Sequence, residues 1–151
     1  PLMHIPLIIH SPGQTERQDV YAPTTSVDVL PTLAAMAGDP VPAWAEGNPL
    51  PGFGGAEDHG RSIFTVDAKN NPSWAPLKQT TVSLTRNGQR LTFYNYPGEW
   101  EAFEFYDLNE DPEEMNNLYG ALPAAARDMR EELMQRLAEV NAPFQTASGP
   151  G

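Results

Sequence analysis

The chain has 151 residues, enough for one domain or for one domain and a piece of another, and a net charge of -11. That charge excludes a nucleic-acid backbone or an anionic membrane surface as the natural partner, since both would repel it. With no cysteine, disulfides, thiolate metal sites and a cysteine nucleophile are excluded within the chain, and cysteine usage leaves the cellular compartment open.

No stretch approaches the ~18 apolar residues of a membrane span. The hydrophobic fraction of 40% is that of a globular protein, and 16 Pro with 12 Gly predict abundant loops. The opening, "PLMHIPLIIHSPG", shows no signal-peptide pattern. It reads as a start inside core.

Ile5 to Ile9 is a short apolar run closed by Ser11-Pro12-Gly13, which predicts a strand buried on both faces. Such strands belong in parallel sheets covered by helices. The partners that this strand requires are absent from the sequence, so its unpaired edge invites self-association. Next, "TTSVDVLPTLAAMAGD" predicts a helix. Thr25 and Asp28 fit a capping box, although Asp28 could itself be the N-cap. Pro31 suits the first turn and Gly38 the stop. Leu30, Leu33, Ala34 and Ala37 share the expected inward face. From Asp39 to Lys78 the sequence reads as loop, with at most a brief ordered turn at "RSIFTV". Long loops of this kind are functional or disordered.

Around Asn87-Gly88, Val82, Leu84, Leu91 and Phe93 alternate with polar neighbours, predicting a hairpin with a type I′ turn. Phe103 to Leu108 is a third strand. Leu122, Ala126, Met129, Leu133, Leu137 and Val140 step by three and four through the last helix, with Pro123 in its first turn and Pro143 at its end. A sheet with one apolar face and a helix with one apolar stripe cover each other. The fold class is therefore α+β: an antiparallel sheet of three to four strands packed by a C-terminal helix. A strand–helix piece of an α/β sheet precedes it. The expected divisions are 1–38, a loop-rich connection over 39–78, an antiparallel subdomain over 79–142 and a tail over 143–151.

Three stretches invite chemistry. "EFYDLNEDPEEMNNLYG" carries six carboxylates, but an EF-hand counted from Asp107 puts Pro112 where glycine is required and Leu118 where a bidentate Glu is required. Structural punctuation fits better: Tyr106 and Leu108 anchor a strand end, and Asp111-Pro112 makes a turn. In "EDHGRS", Asp58 and His59 resemble a metal-ligand pair, but nothing nearby completes a set of three or four. His10 follows the first strand, at the end where open α/β sheets bind ligands. A triad drawn from Ser11, His59 and Asp58 lacks a nucleophile elbow, and "PGFGGAEDHG" lacks the phosphate-loop pattern. Trp44, Trp74 and Trp100 read as loop anchors rather than a stacking platform.

The order "IPLIIHSPG", "TSVDVLPTLAAMAGDPVP", "GRSIF", "TRNGQRLTFYNY", "EFYDLNEDPEEMNNL" and a terminal helix resembles the C-terminal portion of the sulfatase family, within the alkaline-phosphatase superfamily. The resemblance spans Ile5 to about Leu137. It implies an alkaline-phosphatase-like origin for the strand–helix piece, and a parent that hydrolyses sulfate esters. It also implies a divalent cation (calcium) and a formylglycine made from Cys or Ser in a Cys/Ser-x-Pro-x-Arg motif. No such motif occurs in this chain, and the family's metal-binding pair and catalytic lysine and histidines lie upstream of the "PLII" strand. Asp58 and His59 are thus in the wrong order to be those ligands. The resemblance implies a C-terminal fragment without the catalytic centre, inactive alone, whose partner is the missing N-terminal catalytic domain. Loop Asp39–Gly60 would shape one wall of the substrate cleft, with His10, Trp44 and His59 on its rim. A phosphonate- or phosphodiester-cleaving relative and a stand-alone acidic binding module are the alternatives.

Overall fold

The computed structural model describes residues 5–145. The chain divides near residue 63 into two compact units.

The second unit holds the sheet and the long helix. Strands β1 (Ile63–Ala68), β2 (Thr80–Arg86), β3 (Gln89–Tyr96) and β4 (Trp100–Asp107) lie in the order β1-β2-β3-β4. The β2–β3 hairpin forms where the alternation and Asn87-Gly88 predict it. Both turn residues have positive φ, 51° and 72°, as a type I′ turn requires. Val82 faces Phe93 and Leu84 faces Leu91 across the antiparallel ladder. Leu91 then faces Phe105, and Phe93 faces Phe103, with the last two rings stacked at 4.4 Å.

Helix α2 (Ala124–Gln145) supplies the other half of this core. Its predicted stripe is the buried one: Ala126, Met129, Leu133 and Leu137 pack with Leu84, Leu91 and Phe105 in one cluster, and Val140 is half-buried against it. Pro123 precedes the helix rather than sitting in its first turn, and its carbonyl accepts the amide of Arg127 at 3.2 Å. Pro143 does not end the helix, which continues to Gln145. A proline inside a helix removes one intrahelical hydrogen bond, and the described helix runs on past it. Asn141 ties the helix to the chain entering the sheet: its Oδ1 accepts the amide of Leu77 at 2.7 Å, and its Nδ2 donates to the Leu77 carbonyl at 3.3 Å.

Strand β1 is a correction to the expected loop over 39–78. Ile63, Phe64, Thr65 and Val66 are β-branched or aromatic, which suits a pleated surface. Phe64 and Ala68 pack on the main cluster, and the Thr80 hydroxyl donates to the Asp67 carbonyl at 3.0 Å. The third predicted strand is also longer than expected, beginning at Trp100 rather than Phe103.

In the first unit, Thr25 caps a 3₁₀ turn (Ser26–Asp28) that runs into α1 (Val29–Ala37). Gly38 closes the helix with φ 77°. The inward face differs from expectation. Pro31 and Thr32 are buried, whereas Leu30 and Leu33 are 40% and 57% exposed. Residues 5–10 form no strand, and Ile5, Leu7 and Ile8 are exposed. A strand needs a ladder partner to satisfy its backbone, and no described segment pairs with this one. The self-association expected from a free strand edge therefore loses its strand, though the apolar side chains remain in solvent.

Candidate functional site

The first unit is organised around one carboxylate. Asp28 is 1% exposed. It accepts four hydrogen bonds: from the amides of Thr25 and Asn48, both at 2.9 Å, and from Arg61 Nη1 and Nη2 at 2.7 and 2.8 Å. The Thr25 bond is the reciprocal half of the capping box. The Arg61 contact is bidentate, which matches the guanidinium fork to the carboxylate plane. Burial pushes the Asp28 carboxyl up, but Arg61 and the two amides outweigh it, so it titrates below its ordinary value. The same contact, opposed by burial, raises Arg61. Every oxygen is occupied by strong donors, so Asp28 has no free lone pair with which to act as a base.

Thr32 extends the node. Its hydroxyl donates to the Asp28 carbonyl at 2.6 Å and accepts the Leu50 amide at 2.8 Å. The loop over 47–55 is closely fitted to this frame. Phe53 and Gly55 amides both reach the Leu50 carbonyl, at 3.0 and 3.2 Å. A side chain at Gly47 would place its Cβ 2.1 Å from the Val27 carbonyl oxygen, so only glycine fits. The stretch expected to form a cleft wall is thus fixed in place by Asp28, which holds it from 20 residues away.

The predicted rim residues sit on the surface of this unit. His10 is exposed ahead of the Ser11-Pro12 turn. Trp44 is 74% exposed, in the turn after α1. His59 is exposed beside Glu57, with Nε2 3.2 Å from its carboxylate, while its neighbour Asp58 accepts the Gly60 amide at 3.0 Å. No hydrogen bond or ring stack joins the three. An open cavity of about 930 Å³ lies between the segment over 7–24 and the loop over 50–53. Leu7, Ile9, Arg17, Tyr21, Leu50 and Phe53 are among its lining residues, and none of the three rim residues is. Among the described residues, no three His, Cys, Asp or Glu converge as metal ligands would.

In the second unit, the acidic stretch resolves into turns. The Asp111 carboxylate accepts the amides of Met115 and Asn116 at 3.0 and 2.8 Å, which hold its carboxyl below its ordinary value. Asp107 accepts both the amide and the side chain of Asn109. Asn117 Oδ1 accepts the amides of Phe105 and Tyr119 at 3.1 and 2.9 Å. Glu114 is ion-paired with the buried Arg90. These groups stitch the end of β4 to the approach to α2, as the punctuation reading expects.

Sequence reasoning missed two features. Arg61 lies 33 residues from Asp28, so no local spacing signals the pair. Trp100 is not a loop anchor. It opens β4 and stacks with Tyr94 and Tyr96 at 5.0 and 5.6 Å.

The family described as N-sulphoglucosamine sulphohydrolase, C-terminal, matches residues 1–143. The chain belongs to this sulphohydrolase C-terminal family. An N-acetylglucosamine-6-O-sulfatase of Bacteroides thetaiotaomicron is 30% identical to this family member over 148 residues, covering 93% of the chain and 25% of the relative. Arylsulfatase K of Xenopus laevis is 26% identical over 137 residues, covering 86% of the chain and again 25% of the relative. A crystal structure of yidJ from Bacteroides fragilis, itself proposed to be a sulfatase, aligns with TM-score 0.62 and 20% identity, over 78% of the chain and 25% of that protein. That likeness shows the shared α+β fold of the sulphohydrolase C-terminal domain. The chain spans about a quarter of the length of the curated relatives it matches.

Proposed function

We propose that this chain is the C-terminal part of a longer sulfuric ester hydrolase acting on a sulfated sugar, and that the reacting groups lie outside these 151 residues. The observation that carries the proposal is the family match over residues 1–143 in a chain that spans a quarter of its curated relatives. The sugar class comes from the names of the matched family and of the 30% identical relative, both of which specify a glucosamine.

The surface of the first unit supports the missing partner. Val29, Leu30, Leu33 and Met36 of α1 and Ile5, Leu7 and Ile8 before it are all exposed. Exposed apolar side chains at three- and four-residue spacing on one short helix suit a surface that another part of the protein covers. The occupant we infer is a domain in the rest of the longer protein, since this chain spans a quarter of its curated relatives. The residues of this chain do not fit the divalent cation and formylglycine that the sulfatase resemblance implies. There is no Cys, no Ser begins Ser-x-Pro-x-Arg, and the described residues hold no ligand cluster. Both groups would belong to the rest of the protein. What this chain contributes is a covering subdomain and a loop wall held by Asp28.

Hydrolysis of 4-nitrophenyl sulfate and of glucosamine 6-sulfate by the 151-residue chain and by the longer protein tests this. Turnover by the longer protein alone is expected. Turnover by the chain alone would overturn the assignment of the reacting groups. Cleavage of a phosphodiester but neither sulfate by the longer protein would overturn the substrate class.

A further inference from the structure

Strand alternation puts Tyr94, Tyr96 and Trp100 on the sheet face opposite Phe93 and Phe103, away from the core that α2 covers. Trp100 faces Tyr96 directly across the ladder, and its indole lies nearly parallel to both tyrosine rings, at 29° and 13°. The tyrosines are themselves held: Tyr94 donates to Glu104 at 2.8 Å, and the Tyr96 hydroxyl lies 3.1 Å from the Thr81 hydroxyl. The rings are therefore fixed by polar bonds at their far ends and by each other. Yet Trp100 keeps 50% of its surface in solvent. It stands on β4, the strand at the edge of the sheet, beside the exposed loop Pro97–Glu99.

A rigid, half-open aromatic surface bordered by carboxylates and hydroxyls suits a ligand with one apolar face and a rim of hydroxyl donors. A pyranose has that form: its axial C–H bonds lie against the negative π face, and its equatorial hydroxyls reach acceptors around it. Glu104 is bonded to the Tyr94 hydroxyl, in a chain of net charge -11, so a nucleobase strand or a sulfated ring is repelled where an uncharged ring is not. We propose that Tyr94, Tyr96, Trp100 and Glu104 form a ledge that binds an uncharged pyranose unit of a carbohydrate chain. The choice of a saccharide rests on the sugar class proposed above. The ledge would hold an unsulfated unit apart from the one that reacts.

The test uses the 151-residue chain, with the indole N–H resonances of Trp44, Trp74 and Trp100 followed by NMR during titration with chitohexaose. The expected result is a saturable shift of Trp100 at millimolar concentration, with Trp44 and Trp74 unmoved. Calorimetry should show binding weakened about tenfold or more in W100A and retained in W100F and in W74A. W100F also guards against a W100A variant that fails to fold. No shift at Trp100, or binding unchanged in W100A, would overturn the proposal. So would an equal response to tetramethylammonium, which would make the ledge a cation site, or to a heparin hexasaccharide. A silent ledge in a protein that still turns over sulfate esters overturns only this inference, whereas loss of the sulfatase reading appears in the turnover assay.

Discussion

Replacing Asp28 with Asn tests the organisation of the first unit most directly. The substitution keeps the volume and removes the charge. Arg61, whose side chain is 19% exposed, is left a mostly buried cation without its counter-ion. One of the two carboxylate oxygens becomes an amide donor facing donors: the Thr25 amide and Arg61 Nη1 on Oδ2, or the Asn48 amide and Arg61 Nη2 on Oδ1. Removing one partner of a buried pair costs about 3–5 kcal/mol, and the residual wetting of Arg61 places the expected cost at the low end, about 3 kcal/mol. That is a factor of about 100 in the opening equilibrium. Hydrogen exchange reads it locally: the amides of Asn48 and Leu50 should exchange about 100-fold faster in D28N, with Leu91 in the sheet unaffected. A double-mutant cycle with R61L should recover part of the loss, because no unpaired cation remains. A loss below about 1 kcal/mol, or no coupling to Arg61, would refute the claim that this carboxylate organises the loop. The sign with pH follows. The folded value of Asp28 lies below its ordinary 3.8, so its stabilisation is fully present above that value. Protection at Asn48 should fall only as pH drops through the lowered value.

Other expectations concern the second unit. L133A removes a side chain with no exposed surface and should cost about 2–5 kcal/mol, read as a fall in urea midpoint at unchanged slope. G88A should destabilise by about 1–2 kcal/mol, because φ is +72° and the new Cβ would lie 2.4 Å from Asn109 Nδ2. Adding N109A should relieve the clash but not the backbone strain, so full recovery in thermal unfolding would contradict this account. Tyr94 and Tyr106 are pushed up to about 12, by burial first and then by Glu104. Their neutral forms favour the folded state, so stability is held below the ordinary phenol value of 10 and lost as pH rises toward 12. Ultraviolet titration showing both phenols ionising near 10 in the folded chain would contradict it.

The second unit was legible because its signals are local. Asn87-Gly88 and the alternation around it name their own partners, and Ala126, Met129, Leu133 and Leu137 declare a face by spacing alone. The first unit was not legible in the same way. Ile5 to Ile9 has the composition of a strand, but a strand is a relation between two segments, and its partner is not among the described residues. The expected face of α1 failed for a similar cause. Leu30 and Leu33 have the right spacing, but the side of the helix that finds partners is the one where Thr32 and Asp28 meet the loop. Arg61 gave no signal, since an ion pair closed over 33 residues has no sequence period. Strand β1 was obscured by the Gly- and Pro-rich stretch before it, although Ile63, Phe64 and Val66 carry ordinary strand composition. The ring stack at Trp100 depended on register, which sets Tyr96 and Trp100 opposite one another.

The two tips of the sheet differ in how much they allow the chain to change length. At the β2–β3 tip, the Gly88 carbonyl accepts the Leu108 amide at 2.7 Å, and the Asn109 side chain lies where a Cβ on Gly88 would go. An extra residue there has no room and would break the join to β4. At the β3–β4 tip, Gly98 has nothing within 4 Å of where a Cβ would stand. Insertions and deletions in this family should therefore collect between Tyr96 and Trp100, the tip where variation in loop length can alter what the sheet presents without disturbing what holds it together.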